Sequence, residues 1–283
     1  MDKLSLTDSR RNTRKRVSIV PVRLFCLTLV SLSFLSSIIF TQAFAHQDQI
    51  GEKKMTLTEA LQQHAQESRG KMPEEAREVM AKAISELTES GIEQSVTKAG
   101  EKIPDFVLPN AGGKDVSLQS LRQEGPVVLV FYRGGWCPYC NINLHYLQER
   151  LKEIEEQGAR VVAISPETPD NSLSTKEKNA LKFDVLSDAN NTYARKLGLV
   201  FRLPDDVLNL YKKFGIDLSK SNGNTSSELP LSATFIVAQD GTIEFRFVDS
   251  DYKKRMDPKD IVSKLKTIKS ANSANSAACC DHS

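Results

Sequence analysis

Two cysteines three residues apart, in the run Trp136-Cys137-Pro138-Tyr139-Cys140, are the side chains of this sequence best suited to chemistry. Pro138 suits the first position of a helix, because the N–H it lacks would be unpaired there anyway. Cys137 then stands at the helix N-terminus, where the macrodipole and free N–H groups favour a thiolate, a nucleophile at neutral pH. Cys140, one turn on, shares its face and can attack a sulfenic acid or mixed disulfide at Cys137 to close an internal disulfide. A permanent disulfide or half of a zinc site are the competing readings. Zinc would want two more ligands, and His145 lies eight residues from Cys137, about 12 Å along a helix. The same separation removes His145 as a base for Cys137 and leaves it a surface or packing residue. The reading is therefore a redox-active pair with no metal and no cofactor.

The flanking pattern supplies elements that could hold such a pair. Residues 127–132 form a continuous β-branched and aromatic run, as in a strand buried on both faces. Leu144, Leu147, Leu151 and Ile154 then repeat at helical spacing until Gly158. Further strands are predicted at 161–164 and 185–186, with a hairpin over 233–237 and 243–248 around Gly241. Helical stretches are predicted near 176–181, 191–197 and 205–214. Asp257-Pro258 opens a last helix lined by Ile261, Leu265 and Ile268. This alternation predicts an α/β sandwich with a central sheet. Upstream, Thr56-Leu57-Thr58-Glu59 is a capping-box pattern, and Pro73-Glu74-Glu75 opens a helix whose Ala76, Met80, Ile84 and Leu87 share a face until Gly91. Residues 46–100 thus read as a helical N-terminal extension that serves packing or dimerisation.

The segment from Phe131 through Gly134-Gly135-Trp136-Cys137-Pro138-Tyr139-Cys140 to Asn141 resembles the active-site stretch of the peroxiredoxin-like branch of the AhpC/TSA family, in the thioredoxin superfamily. Ile103-Pro104-Asp105-Phe106, Val162-Ala163-Ile164-Ser165, Leu186-Ser187-Asp188, Ala233-Thr234-Phe235-Ile236-Val237 and Val248-Asp249-Ser250-Asp251-Tyr252 extend the likeness over residues 55–269. The resemblance implies a thioredoxin-like three-layer sandwich with a central mixed sheet over residues 101–269. It implies reduction of hydrogen peroxide or organic hydroperoxides by Cys137 as peroxidatic and Cys140 as resolving cysteine, with recycling by thioredoxin or a similar dithiol, and it leaves a homodimer open. Typical members carry a proline and a threonine where this chain has Val130 and Gly134. At the start of the late strand, where an arginine or a cis-proline is usual, it has Ser232, with Pro230 two residues upstream. Arg133 is a candidate replacement cation, although a solvent-facing strand-end arginine is the plainer reading. Trp136 and Tyr139 would flank Cys137 as an apolar docking surface. The Pro-Tyr dipeptide between the cysteines is also that of glutaredoxins, so protein thiol-disulfide exchange competes with peroxide reduction.

Composition bounds these readings. The 283 residues are 40 % hydrophobic and 26 % charged, which is ordinary globular usage. The formal charge of +2 hides an asymmetry: residues 1–45 hold Lys3, Arg10, Arg11, Arg14, Lys15, Arg16 and Arg23 against Asp2 and Asp8, so the remainder is weakly acidic and no nucleic-acid partner is expected. That basic start runs into an apolar stretch over 24–40, diluted by hydroxyls, and then Ala43-Phe44-Ala45, the pattern of a secretory signal peptide cleaved after Ala45. The body is expected to be exported, periplasmic or secreted, and membrane-anchored only if the leader is kept. Residues 270–283 read as a flexible tail ending in Cys279-Cys280 and His282. Adjacent cysteines bridge poorly. If extended, the spacer over 270–278 spans roughly 30 Å, enough for Cys279 and Cys280 to shuttle thiols to Cys137 or, with His282, to capture Cu(I). A copper-binding module is the third functional reading.

Overall fold

In the computed structural model, residues 55–280 are described; the expected leader over 1–45 lies outside them. The capping box at Thr56 is formed, with Glu59 N–H donating to the Thr56 hydroxyl at 3.2 Å and Thr56 N–H to the Glu59 carboxylate at 2.8 Å. It opens α1 (Leu57–Lys71), which is followed by α2 (Glu74–Glu89) and α3 (Ile92–Ser95). A short hairpin of β1 (Val107–Pro109) and β2 (Asp115–Ser117) and the helix α4 (Leu118–Glu124) lead into β3 (Val127–Phe131) and α5 (Pro138–Glu155). Next come β4 (Arg160–Ser165), α6 (Pro169–Lys178), β5 (Asp184–Ser187), α7 (Thr192–Lys196) and β6 (Val200–Arg202). The chain continues with α8 (Asp205–Lys213), α9 (Leu218–Asn222), β7 (Glu228–Pro230), β8 (Ser232–Val237), β9 (Ile243–Asp249) and α10 (Pro258–Cys280).

Five strands form the central sheet in the order β5-β4-β3-β8-β9. β3, β4 and β5 run parallel, joined by crossovers through α5 and α6, while β8 pairs antiparallel with β3 and with β9. A βαβ unit sharing one mixed sheet with a β-hairpin and a closing helix is the thioredoxin-like arrangement expected. The central strand β3 shows why its sequence is apolar throughout. Val128, Val130 and Tyr132 enter the core beneath α5 and α10, whereas Val127, Leu129 and Phe131 enter the core on the other side, against Leu118 and Tyr193.

Three features differ from the pattern reading. β6 and β7 form a second small sheet that was not anticipated, because each is only three residues long. α9 was likewise not anticipated; Asp217 caps it by accepting from Lys220 N–H at 3.1 Å. The expected flexible tail is instead a continuation of α10 as far as Cys280. From Lys259 to Cys280 there is neither glycine nor proline to stop a helix, and alanine recurs in the stretch.

The helical extension is built into the core. Leu57 and Leu61 of α1 join the cluster containing Leu144, Leu147 and Cys140 of α5, and Leu57 is 1 % exposed. Leu57→Ala should therefore lower the unfolding free energy by about 2–5 kcal/mol within a single denaturant transition. A loss near zero, or a separate early transition, would show that α1 frays independently of the sheet.

Candidate active site

The turn between β3 and α5 carries the two cysteines, and close packing sets its shape. A Cβ on Gly135 would overlap Thr175 Oγ1. Gly135 N–H donates to Glu167 at 2.9 Å, and Asn141 reaches back from the first turn of α5 to the carbonyls of Gly135 (2.7 Å) and Cys137 (3.2 Å). Asn179 in turn donates to Asn141 Oδ1 at 2.9 Å. Glu167, 3 % exposed, also accepts from Ser221 at 2.8 Å; burial pushes its carboxyl above the usual range despite these bonds.

Cys137 is the N-cap of α5 and Pro138 occupies its first turn, as the spacing predicted. Both cysteines are reduced and buried, at 2 % and 0 % exposure. The two thiols interact closely, and their titrations are displaced in opposite directions. Holding a proton for its neighbour raises Cys137 well above the usual thiol range, and burial adds to the rise. For Cys140 burial alone would also raise the thiol, but the bond from Cys137 and the nearby Arg255 and Arg133 outweigh it and hold Cys140 well below that range. This direction differs from the resting thiolate on Cys137 expected from the helix terminus alone. The helix terminus is present, but no helical N–H bonds the Cys137 sulfur, while Arg255 Nη2 donates directly to Cys140 Sγ at 3.3 Å. A guanidinium in contact outweighs a half-charge one turn away.

Arg133 also departs from its expected place. It is 3 % exposed, not solvent-facing; it donates to the Tyr211 hydroxyl and lies over the rings of Trp136, Tyr211 and Tyr252 at 5.1, 5.7 and 4.3 Å. Burial works against its charge, while Tyr211 first and then the cysteine pair favour it. Arg255 is anchored by donating to the carbonyls of Tyr252 and of Lys254, the latter at 2.7 Å. Among the described residues neither guanidinium makes an ion pair with a carboxylate. Two buried cations thus face a thiol pair that supplies one negative charge, an arrangement suited to holding a thiolate and to receiving negative charge as it develops.

The remaining expected residues divide. Trp136 is half-buried against Tyr211, ring centres 5.4 Å apart. Tyr139 is 8 % exposed under His64 and Tyr252, at 4.9 and 5.5 Å, so it is packing and not an open docking surface. Ser232, 2 % exposed with no hydrogen-bond partner for its hydroxyl, begins β8; the next pair, Ala233 with Phe131, places it at the end of β3 from which the cysteine turn departs. His145 is on the surface near Glu149. Cys279 and Cys280 are not brought to the pair. α10 starts just after Arg255 at the Cys140 end and passes the other end of α5, where Lys269 donates to the Glu156 carbonyl at 3.2 Å. At 1.5 Å per residue the helix places Cys280 about 35 Å along the chain from Arg255. No group of metal-ligating side chains occurs among the described residues, and His282 lies outside them. Arg255, Tyr211, Glu167 and the clamp by Asn141 were missed; each depends on a partner distant in sequence or on a side-chain direction that periodicity does not encode.

The chain was compared with known proteins. The chain is 29 % identical over 102 residues to peroxiredoxin Bcp of Escherichia coli, covering 36 % of this chain and 65 % of that protein. It is 28 % identical over 144 residues to a putative peroxiredoxin of Mycobacterium tuberculosis, covering 51 % and 80 %. The first curated relatives are spanned over 64–66 % of their length, just under two thirds. The solved structure of peroxidoxin BcpB from M. tuberculosis superposes with a TM-score of 0.49 at 23 % identity, over 61 % of this chain and 98 % of that one. The AhpC/TSA family profile matches residues 99–246, just over half the chain and the whole span from the first hairpin into β9. The protein belongs to the AhpC/TSA family.

Proposed function

We propose that the protein is a thiol peroxidase in which Cys137 attacks the peroxide and Cys140 resolves the product. The observation that carries this reading is the reduced, hydrogen-bonded cysteine pair, enclosed with two guanidiniums that have no carboxylate partner. Burial distinguishes it from exchange with protein disulfides. At 2 % and 0 % exposure the reduced sulfurs suit a peroxide of a few atoms better than a folded client, and recycling by a dithiol then requires the turn to expose the disulfide once it has formed.

The Cys140 thiolate takes the Cys137 proton across their hydrogen bond as the Cys137 sulfur attacks the outer peroxide oxygen. An S–O bond forms and the O–O bond breaks, leaving a sulfenic acid on Cys137. The alkoxide or hydroxide that departs is stabilised by Arg133 and takes the proton from Cys140. The Cys140 thiolate then attacks the Cys137 sulfur; the disulfide closes and hydroxide leaves, to be protonated by solvent to water. An external dithiol restores the pair, becoming a disulfide itself and releasing one proton. Arg133 thus fills the role of cation at the peroxide, in a chain that lacks the usual threonine. The basic, apolar leader supports an exported place of work.

Cys137→Ser should abolish peroxide consumption, a fall on the order of 10³-fold or more. Cys140→Ser should still form one sulfenic acid per chain, trapped by dimedone, but turn over no further. Peroxidase turnover retained without Cys137 would overturn the assignment. Arg255→Gln removes the cation in contact with Cys140, so the thiolate titration read by ultraviolet absorbance should move up by roughly one to two pH units. In the native protein the peroxidase rate should fall as pH drops through a midpoint below the ordinary thiol range. An unchanged midpoint in the variant would show that Arg255 does not hold the charge.

A further inference from the structure

Glu167 takes no part in the chemistry proposed above, yet it holds the cysteine turn. Among the described residues a single hydrogen bond joins residues 134–136 to an element other than α5, from Gly135 N–H to Glu167 at 2.9 Å. The remaining bonds of the turn, from Asn141 and from Cys137 N–H to the Gly134 carbonyl, stay within the turn and α5. Glu167 makes no ion pair among the described residues. Its other donors are the hydroxyls of Ser221 on α9 at 2.8 Å and of Thr175 on α6 at 3.4 Å. A buried carboxylate held only by dipoles is costly to leave short of a donor. Glu167 nevertheless lines a cleft of about 300 Å³ whose walls include Trp136 and the exposed Lys178 and Lys220. Water and lysine charge can therefore replace the Gly135 N–H when the turn moves away.

Oxidation supplies a reason for that movement. The reduced pair carries the negative charge that faces Arg133 and Arg255, both buried. Once Cys137 and Cys140 join as a disulfide, that charge is lost and two guanidiniums face neutral sulfurs. Enclosure then costs more than in the reduced protein, and an opening that lets water reach Arg133 becomes more favourable. Resting on the peroxidase reading for the purpose it serves, we infer that disulfide formation releases the cysteine turn from Glu167, and that this carboxylate–amide bond sets how readily the oxidised pair is offered to a dithiol. Glu167 is a positioning residue: it bonds the turn and neither sulfur. In the oxidised protein a dithiol reaches the pair in the fraction of molecules whose Gly135–Glu167 bond is broken. There the S–S bond breaks, two electrons pass from the dithiol, and its own sulfurs join; one of its protons stays with the pair and the other is released.

The Gly135 amide reports this bond directly. Its hydrogen exchange, followed by NMR, should be about tenfold faster or more in native protein oxidised with diamide than in protein reduced with dithiothreitol. Equal exchange in the two forms would overturn the inference. Diamide makes the disulfide without peroxide. Protein that shows the faster exchange but consumes no hydrogen peroxide would thus refute the peroxidase reading while supporting release of the turn. Glu167→Gln replaces a charged acceptor with a neutral one of similar size. Disulfide reduction by dithiothreitol, read through Trp136, the only tryptophan of the chain, should quicken about five- to tenfold in this variant, and peroxide attack on Cys137 should slow. The Gly135 amide should lose protection while those of β4 keep theirs, which distinguishes a released turn from a general loosening of the fold. A reduction rate at or below the native one in a folded variant overturns the inference. If Glu167→Gln does not reach the native circular dichroism, the exchange comparison in the native protein decides alone.

Discussion

Among the described residues Arg133 and Arg255 are buried beside the cysteine pair without carboxylate partners, and much of the surrounding structure serves to make that tolerable. An isolated guanidinium in a protein interior is strongly unfavourable unless dipoles, aromatic faces or an anion offset its lost hydration. Here Arg133 has three aromatic rings and the Tyr211 hydroxyl, and Arg255 has two carbonyls and the Cys140 sulfur. The anion that completes the arrangement is the shared thiolate. Its formation is therefore part of what stabilises the reduced fold, and the chemistry of the pair follows from the same charges.

This constraint explains the placement of the flanking elements. Tyr252 and Arg255 come from the connection between β9 and α10, Tyr211 from α8, and the cysteines from the start of α5. Only a sheet that puts β8 and β9 beside β3, with α10 packed along α5, brings these three segments to one place. α1 then covers Tyr139 through His64, and α2 walls a cavity that Arg133 also lines. A close approach at Gly135 and the carboxylate of Glu167 hold the turn itself, so the sulfurs are fixed by packing on one side and by charge on the other.

Lowering the thiol of one cysteine by raising that of its neighbour has a mechanistic consequence. In the proposed mechanism the charge rests on Cys140, the fully buried sulfur, and Cys137 at the helix mouth becomes nucleophilic as its proton moves across. A helix dipole acting alone would have charged Cys137 permanently. The contact of the second guanidinium with Cys140 favours charge on the inner sulfur.

The amino-acid sequence by itself determined the elements and the place of the cysteine pair at the mouth of α5. The apolar run of β3, the stripe of α5, the capping box at Thr56 and the Cys-Pro-Tyr-Cys spacing are local patterns, governed by period, caps and turn chemistry within a few residues. Tertiary structure decided where the negative charge rests, that Arg133 turns inward, and that Arg255 touches Cys140 from 115 residues away. It also decided that the small β6–β7 sheet forms, and that the helical extension walls a cavity beside the site. These are consequences of burial and of Coulomb interactions between side chains that meet only after the sheet has assembled. Neither effect leaves a periodic mark on the chain.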